Sequence, residues 1–528
     1  MSTAVPASSR RGRPGAAIGA VLVVAVGLAT AVAGVVSGGH PALTLAPVLL
    51  AAAAVLAVQV PLRWPATLLV FLLLSLDVTG DAEGFWSSPL AHLGDLFTDI
   101  SGRLTGVHVA GFELAVLLLL GLAARRRSKR STIDGEWTPM PGVIRDCILL
   151  FLLGLAYAAL LGVATGKGLP FWKARNLLHI PLFYLFFRTA YGRAADMRAV
   201  GVAVVAAAQI KALLAAWVQK VAAVHLTGGP LAYATNHGDS VLFAAAILIL
   251  LGAAAERAGR RSLLRAMLFI PLPLWGMVLN RRRIAWAMLE FGLLMIFLVS
   301  AWRPWKRKLV TALVLGAPVI LLYVGIGWNG SGSGIFGPVH KVRSMLDARV
   351  DSSTYWREVE SWNVAMSLRS SPILGVGLGG EYTEYMKNAD ISWGYPEYRQ
   401  WPHNTVLGLF LLTGVFGFVC LWMPNLLTIF LAVRVYRQAA MRYDRAAALA
   451  CVSAIVCCVF LAWGDTGAHF LQHKMATGLA LALAGRLAAE TGAWPMRRIS
   501  PLPELDLGPG PERSLPLSAG RGSAGTSA

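Results

Sequence analysis

Long apolar runs, separated by short polar or basic stretches, set the pattern of this chain. Runs close to bilayer-spanning length fall at Ala17–Val36, Ala42–Val60, Leu62–Val78, Val107–Ala124, Val143–Val163, Leu177–Tyr191 and Ala199–Val224. The series continues at His237–Ala255, Leu264–Leu279, Ile284–Ala301, Leu309–Gly327, Asn404–Leu431, Ala446–Trp463 and Met475–Ala489. A span needs about 20 apolar residues, which makes about fourteen spans, or twelve if the two shortest are set aside. The expectation is an all-α polytopic bundle. Residues 1–16 form a basic tail, 17–327 the main bundle, 328–402 a large loop, 403–489 the last helices and 490–528 a Pro/Gly/Ser-rich disordered tail.

The large loop has its own pattern. It opens on Gly330-Ser331-Gly332-Ser333-Gly334. From Ser353 to Ser370 it carries Tyr355, Trp356, Val359, Trp362, Val364, Ala365 and Leu368 at spacings of three and four. That periodicity predicts a helix lying on the bundle or membrane surface. Glycines follow at 375, 377, 379 and 380, then aromatics at Tyr382, Tyr385, Trp393, Tyr395, Tyr398 and Trp401. The glycine run lacks the strand and helix of a dinucleotide site, so it reads as a tight turn that brings backbone close to a neighbour.

Composition supports the membrane reading. Hydrophobic residues make up 56% of the chain and charged residues only 14%, with mean hydropathy +0.61. The net charge of +20 would suggest nucleic acid in a soluble protein. In a membrane protein it instead orients the chain and meets anionic lipid, so no nucleic-acid partner is expected. With an inside N-terminus, alternation places Arg63, Arg125–Arg130, Arg193, Arg198, Arg257–Arg265, Arg303–Lys308, Arg434–Arg445, Arg486, Arg497 and Arg498 inside. Both termini are then cytoplasmic and the large loop is extracytoplasmic. The five cysteines lie in apolar runs with no metal-type spacing and read as small apolar fillers.

Two basic clusters fall outside against this bias: Lys167 with Lys173-Ala174-Arg175-Asn176, and Asn280-Arg281-Arg282-Arg283. Such charges are costly beside the apolar layer and call for a partner. Guanidinium groups at a helix start suit a phosphate or diphosphate, with lipid headgroups as the plainer alternative. His403 and Asn404 stand where the large loop meets an apolar run. The histidine can accept a proton near neutral pH and the asparagine can cap the helix. A plain interfacial histidine is the competing reading. His237 and Asp239 open another run and suit sugar binding or simple capping. Lys211, deeper in its run, is placed to line a cavity.

These regions together resemble the O-antigen ligase/O-antigen polymerase superfamily of bacterial membrane glycosyltransferases. Tyr355-Trp356-Arg357…Trp362…Ser371-Pro372-Ile373-Leu374-Gly375-Val376-Gly377 resembles its loop segment. Pro402-His403-Asn404-Thr405…Leu409…Gly414-Val415-Phe416-Gly417 resembles its H-N-x-x-L…G-x-x-G signature. Arg283-Ile284-Ala285-Trp286 is similar to its S-R-G-A-W helix start, with Arg282 where Ser is usual and Ile284 where Gly is usual. The resemblance implies a metal-independent, inverting transfer without a cofactor, outside the cytoplasm. The donor would be a glycan on a polyprenyl diphosphate, and the acceptor a glycan or lipid. His403 would bind or deprotonate the acceptor hydroxyl. Arg281, Arg282, Arg283 and Arg175 would hold the diphosphate, with Asn404, Arg357, His237 and Asp239 in support.

Ligase and polymerase share these motifs, and the sequence does not separate them. Two other classes compete. A metal-dependent polyprenyl-phosphate glycosyltransferase calls for carboxylates in the first outer loop, which here is only Ser37-Gly38-Gly39-His40-Pro41. A transporter or flippase of lipid-linked glycan calls for internal repeats, and none is evident.

Overall fold

The computed structural model describes residues 26–31, 48, 59–76, 111–129, 139–167, 170–224, 228–229, 233–259, 261–329, 334–347, 349–392 and 397–495. Most of the first two expected spans, both terminal tails and the acidic outer loop Gly80–Gly106 lie outside these residues. Among the described residues there are helices and no strand.

The helices follow the apolar runs. They are α1 Arg63–Leu76, α2 Gly111–Lys129, α3 Gly142–Ala164, α4 Pro170–Ala190, α5 Arg198–Trp217, α6 His237–Ala255, α7 Ser262–Phe269 and α8 Pro271–Asn280. Then come α9 Arg283–Val299, α10 Pro304–Trp328, α11 Gly337–Leu346, α12 Ser352–Leu368, α13 Thr405–Gln438, α14 Arg442–Gly464 and α15 Leu471–Glu490. Among the described residues, seven helical segments are long and apolar enough to cross a membrane: α3, α5 with its flanking turns, α6, α7 joined to α8, α10, α13 and α14. The other expected spans that fall on described residues, at α1, α2, α4, α9 and α15, are helices too, but shorter or more polar. α7 and α8 bend at Pro271, which cannot donate to the preceding turn.

The packed centre is formed by α6, α13, α14 and α15. Buried Ala and Cys recur among the larger Leu, Val and Ile of their contacts, which lets backbones approach closely where lipid supplies no hydrophobic drive between helices. All five cysteines are buried and unbridged, as small fillers should be. At one end of the bundle a fully buried carboxylate ties four segments together. Glu256 accepts from Tyr436 Oη at 2.6 Å, Arg303 Nη2 at 2.7 Å and Arg445 Nε at 3.0 Å. Arg486, expected among the inner loop charges, instead lies within α15, fully buried, and donates to the Arg188 carbonyl at 2.9 Å.

The large loop is inserted into the bundle rather than laid over it. At Gly414, with φ 62° and ψ −172°, α13 breaks. The break releases carbonyls that an unbroken helix would use. The Leu411 carbonyl accepts from Val376 N and the Leu412 carbonyl from Gly377 N, each at 2.9 Å. Leu378 N continues to the Ala158 carbonyl of α3 at 3.0 Å. The loop backbone therefore completes hydrogen bonds that an apolar layer cannot supply. Gly377 is required there: it has φ 84°, and a Cβ would stand 2.5 Å from the Gly162 nitrogen. The turn with close backbone approach expected of this glycine run is what forms.

α12 rests on α13 as the periodicity predicted. Val359, Glu360, Asn363, Val364 and Ser367 face inward. Tyr355, Trp356 and Trp362 do not join them and stay exposed, because the inward face is narrower than the apolar pattern implied. Asp351 caps α12 by accepting from Thr354 N at 2.9 Å. Asn363 holds Met386 through both of its backbone groups, at 2.8 and 2.9 Å, and so fixes the aromatic part of the loop.

Candidate active site

His403 enters α13 through a fixed turn. Asn404 Oδ1 accepts from Leu407 N at 3.1 Å, which caps the helix as its position suggested. Opposite stands Glu360 of α12, 2% exposed. Its carboxylate accepts from the His403 backbone N at 2.9 Å and faces His403 Nδ1 at 3.1 Å. A carboxylate at Nδ1 puts the ring hydrogen there and makes Nε2 the accepting nitrogen. Burial pushes the His403 imidazole down. The hydrogen bond and charge of Glu360, with the charge of Asp465, outweigh it and hold His403 above its ordinary value.

Asp465 joins α14 to the short turn Gly467–His469, and is buried. It pairs with His237 Nδ1 and stands 3.8 Å from Arg357 Nη2. Burial alone would raise its carboxyl, but His237, Arg357 and His403 hold it well below the usual carboxylate range. Arg357 also donates to the Gly464 carbonyl at 2.8 Å, and Thr405 Oγ1 to the Asp465 carbonyl at 3.0 Å. On its other side, His237 Nε2 meets Arg282 Nη1. An arginine can only donate, so Nε2 accepts and Nδ1 carries the hydrogen that faces Asp465. Arg282 lies over the Tyr233 ring, 3.7 Å from its centroid. The loop, the start of α6, the start of α9 and the end of α14 thus converge on one cluster: Arg282, His237, Asp465, Arg357, Glu360 and His403.

The other expected site residues lie around this cluster. Arg283 donates to Ser344 O and Oγ, both at 2.9 Å, and to Asp351 at 2.6 Å. It clamps α11 and the cap of α12 to α9. Arg281 is exposed at the left-handed end of α8, with φ 53°. Asp239 is fully buried and stands 3.4 Å from Lys211 Nζ, so the deep lysine has a carboxylate partner inside the bundle. Asn236, rather than Asp239, caps α6, accepting from Asp239 N at 2.7 Å.

Arg175 belongs to a second cluster. It makes a paired contact with Glu113 of α2 at 2.8 and 2.6 Å. Glu113 also meets His179 Nε2 at 2.5 Å, and His179 Nδ1 faces Lys474 Nζ at 3.4 Å. Trp401, two residues before His403, packs its ring edge-on to His469 with centroids 4.9 Å apart. Burial, then Lys474 and Lys173, push His469 down to about 3, so its ring stays neutral.

A family model described as O-Antigen ligase matches residues 266–422. That match supports the O-antigen ligase superfamily for this chain. At family level the match supports a membrane glycosyltransferase of ligase or polymerase type, and together with the apolar helices it supports a bacterial membrane protein. A comparison with curated proteins finds no match. The O-antigen ligase segment contains Arg281–Arg283, Arg357, Glu360 and His403. It does not contain His237, Asp465, Glu113 or Arg175.

Glu360, Asp465 and Glu113 were not among the residues singled out from the O-antigen ligase pattern. Glu360 did carry a signal: it is a charged residue on the inward face of an amphipathic helix, beside Val359 and Val364. Asp465 carried a weaker one, an acid in the short break between two apolar spans. Glu113 looked like an ordinary acid in the first turn of a helix.

Proposed function

We propose that this chain transfers or polymerises a glycan from a polyprenyl-diphosphate donor, on the extracytoplasmic face of the bacterial cytoplasmic membrane. The observation that supports this most is the Glu360 carboxylate on His403 Nδ1 at 3.1 Å. It orients the ring as a general base. His403 Nε2 takes the proton of the acceptor hydroxyl as that oxygen attacks the anomeric carbon. The bond from that carbon to the diphosphate oxygen breaks, with inversion, and the diphosphate leaves with the bonding pair. Arg357 is the cation best placed for the departing charge, because its contact with Asp465 is long and its side chain is 36% exposed. Arg282 stands behind it through His237 and Asp465. Arg281 meets the donor headgroup at the surface. Arg283 and Arg175, each held by a carboxylate, act through the walls of the site.

The test is reconstitution in proteoliposomes with a polyprenyl-diphosphate-linked glycan and a panel of glycan and lipid acceptors. A new glycosidic bond, formed also in the presence of EDTA, is the expected result. Movement of donor across the bilayer with no new bond would replace this reading with the flippase. Accumulated single repeats in a deletion strain indicate a polymerase, and accumulated long chains a ligase.

A further inference from the structure

The end of the bundle away from His403 has a pocket of its own. α6 runs from His237 at the site to Ala255, and α14 from Arg442 to Gly464 beside Asp465. The 23 residues of α14 separate the two ends by roughly 35 Å. At the far end, a pocket of about 740 Å³ is lined by Arg257, Gly259, Leu263, Met441, Arg442 and Tyr443. Arg198 lies over the outer ring of this group, 4.4 Å from the Tyr443 centroid. Two acids lie beside these arginines along the chain: Glu256, next to Arg257, and Asp444, in the first turn of α14.

The contrast with Glu256 next door is informative. Arg303 and Arg445 are both bound to that carboxylate. Arg257 and Arg442 point from exposed positions at the pocket. The backbone at Arg257 is held at φ 50°, a conformation rare outside glycine, so the turn that carries it is not relaxed. Gly259 at φ 127° allows close approach to Tyr443, since a Cβ there would stand 2.6 Å from the phenol oxygen. The walls are apolar, and they continue. Leu263 and Met267, one helical turn apart on α7, are 66% and 68% exposed, so they form a stripe that leads from the pocket along the lipid-facing side of the helix.

We propose that this pocket binds an anionic phospholipid, with its phosphate between Arg257 and Arg442 and an acyl chain along Leu263 and Met267. Two guanidinium groups suit a phosphate oxyanion. The apolar stripe suits an acyl chain and gives nothing to a free ion. The site is remote from the transfer chemistry and does not depend on it.

Native mass spectrometry of the whole protein, delipidated and then exposed to mixed phosphatidylglycerol and phosphatidylcholine, tests this. Wild type should retain phosphatidylglycerol selectively. Arg257→Gln/Arg442→Gln should retain it roughly thirtyfold less, from about 1 kcal/mol per basic residue. Arg307→Gln, exposed and basic but outside the pocket, should retain it as wild type does. Equal retention by the double variant and wild type overturns the proposal. Displacement of the lipid by inorganic phosphate at comparable concentration overturns it in favour of a soluble anion. Should the double variant fold poorly, Leu263→Gln keeps both arginines; its retention must also fall, and unchanged retention there counts against the acyl-chain seat.

Discussion

His403 and His179 both face a buried glutamate, yet the two pairs are built for different work. Glu113 receives His179 and both arms of Arg175, while Lys474 occupies the other ring nitrogen of His179. Phe112 covers the His179 ring edge-on, 5.0 Å between centroids. Each polar atom has a fixed neighbour inside the bundle, and the cluster locks α2, α4 and α15 together. His403 turns its Nδ1 to Glu360, and its side chain is 26% exposed, against 6% for His179. The loop that carries Glu360 is held by backbone bonds to α3 and α13 and by the part-buried pair of Arg283 with Asp351. A histidine–carboxylate pair therefore does not mark a catalytic base by itself. The difference between the two pairs is exposure of the histidine side chain.

The sharpest test pairs two alanine variants. His403→Ala should lower glycan transfer by roughly 10²–10⁴-fold with the protein still folded, the usual worth of a general base. His179→Ala should reduce the yield of folded protein while the folded fraction keeps turnover within severalfold of wild type. Equal loss of turnover in the two variants breaks the comparison.

Glu113→Gln should act on stability. It leaves the Arg175 guanidinium partly buried without its counter-charge, a loss of about 3–5 kcal/mol. Thermal unfolding in detergent would read this as a clearly lower midpoint, with little change in rate per folded molecule. A near-normal midpoint would mean that Arg175 has access to water or another acceptor.

Glu360→Gln should change the pH profile. The base works unprotonated, so activity falls as pH falls through the His403 pKa. Glu360 raises that pKa. Its removal should move the acid limb to lower pH and also lower the maximum rate, because the ring loses its orienting charge. An acid limb that stays in place separates Glu360 from the base.

The smallest effect is expected at Asp351→Asn. The asparagine still caps α12, but the ion pair to Arg283 is lost, for about 1 kcal/mol or less. The Arg283 and Thr354 hydrogen bonds hold the Asp351 carboxyl below its usual value, against burial. Its contribution is present above the unfolded pKa and lost as pH falls through the depressed folded one. Limited proteolysis of the loop across that window should show wild type approaching the variant.

Much of this arrangement was readable along the chain because its causes are local. Apolar length and spacing determined the helices, and they did so without reference to any distant residue. A polar residue at a helix start determined the Asn404 cap. The glycine run announced close backbone contact because few other residues accept its dihedral angles. The loop pattern around His403 pointed to the O-antigen ligase family, and the family match falls on that stretch. Hydropathy, however, is blind to which helix faces which. Glu360 reaches His403 from 43 positions away, and Arg282 reaches His237 from 45. Asp465 lies beyond the matched segment altogether. Only the packing decided that Arg283 would clamp the loop, that Arg175 would be spent on Glu113, and that Asp465 would stand between His237 and Arg357. The reason is physical: a buried charge is set by the partner that compensates it, and that partner is chosen by the tertiary contacts of the bundle.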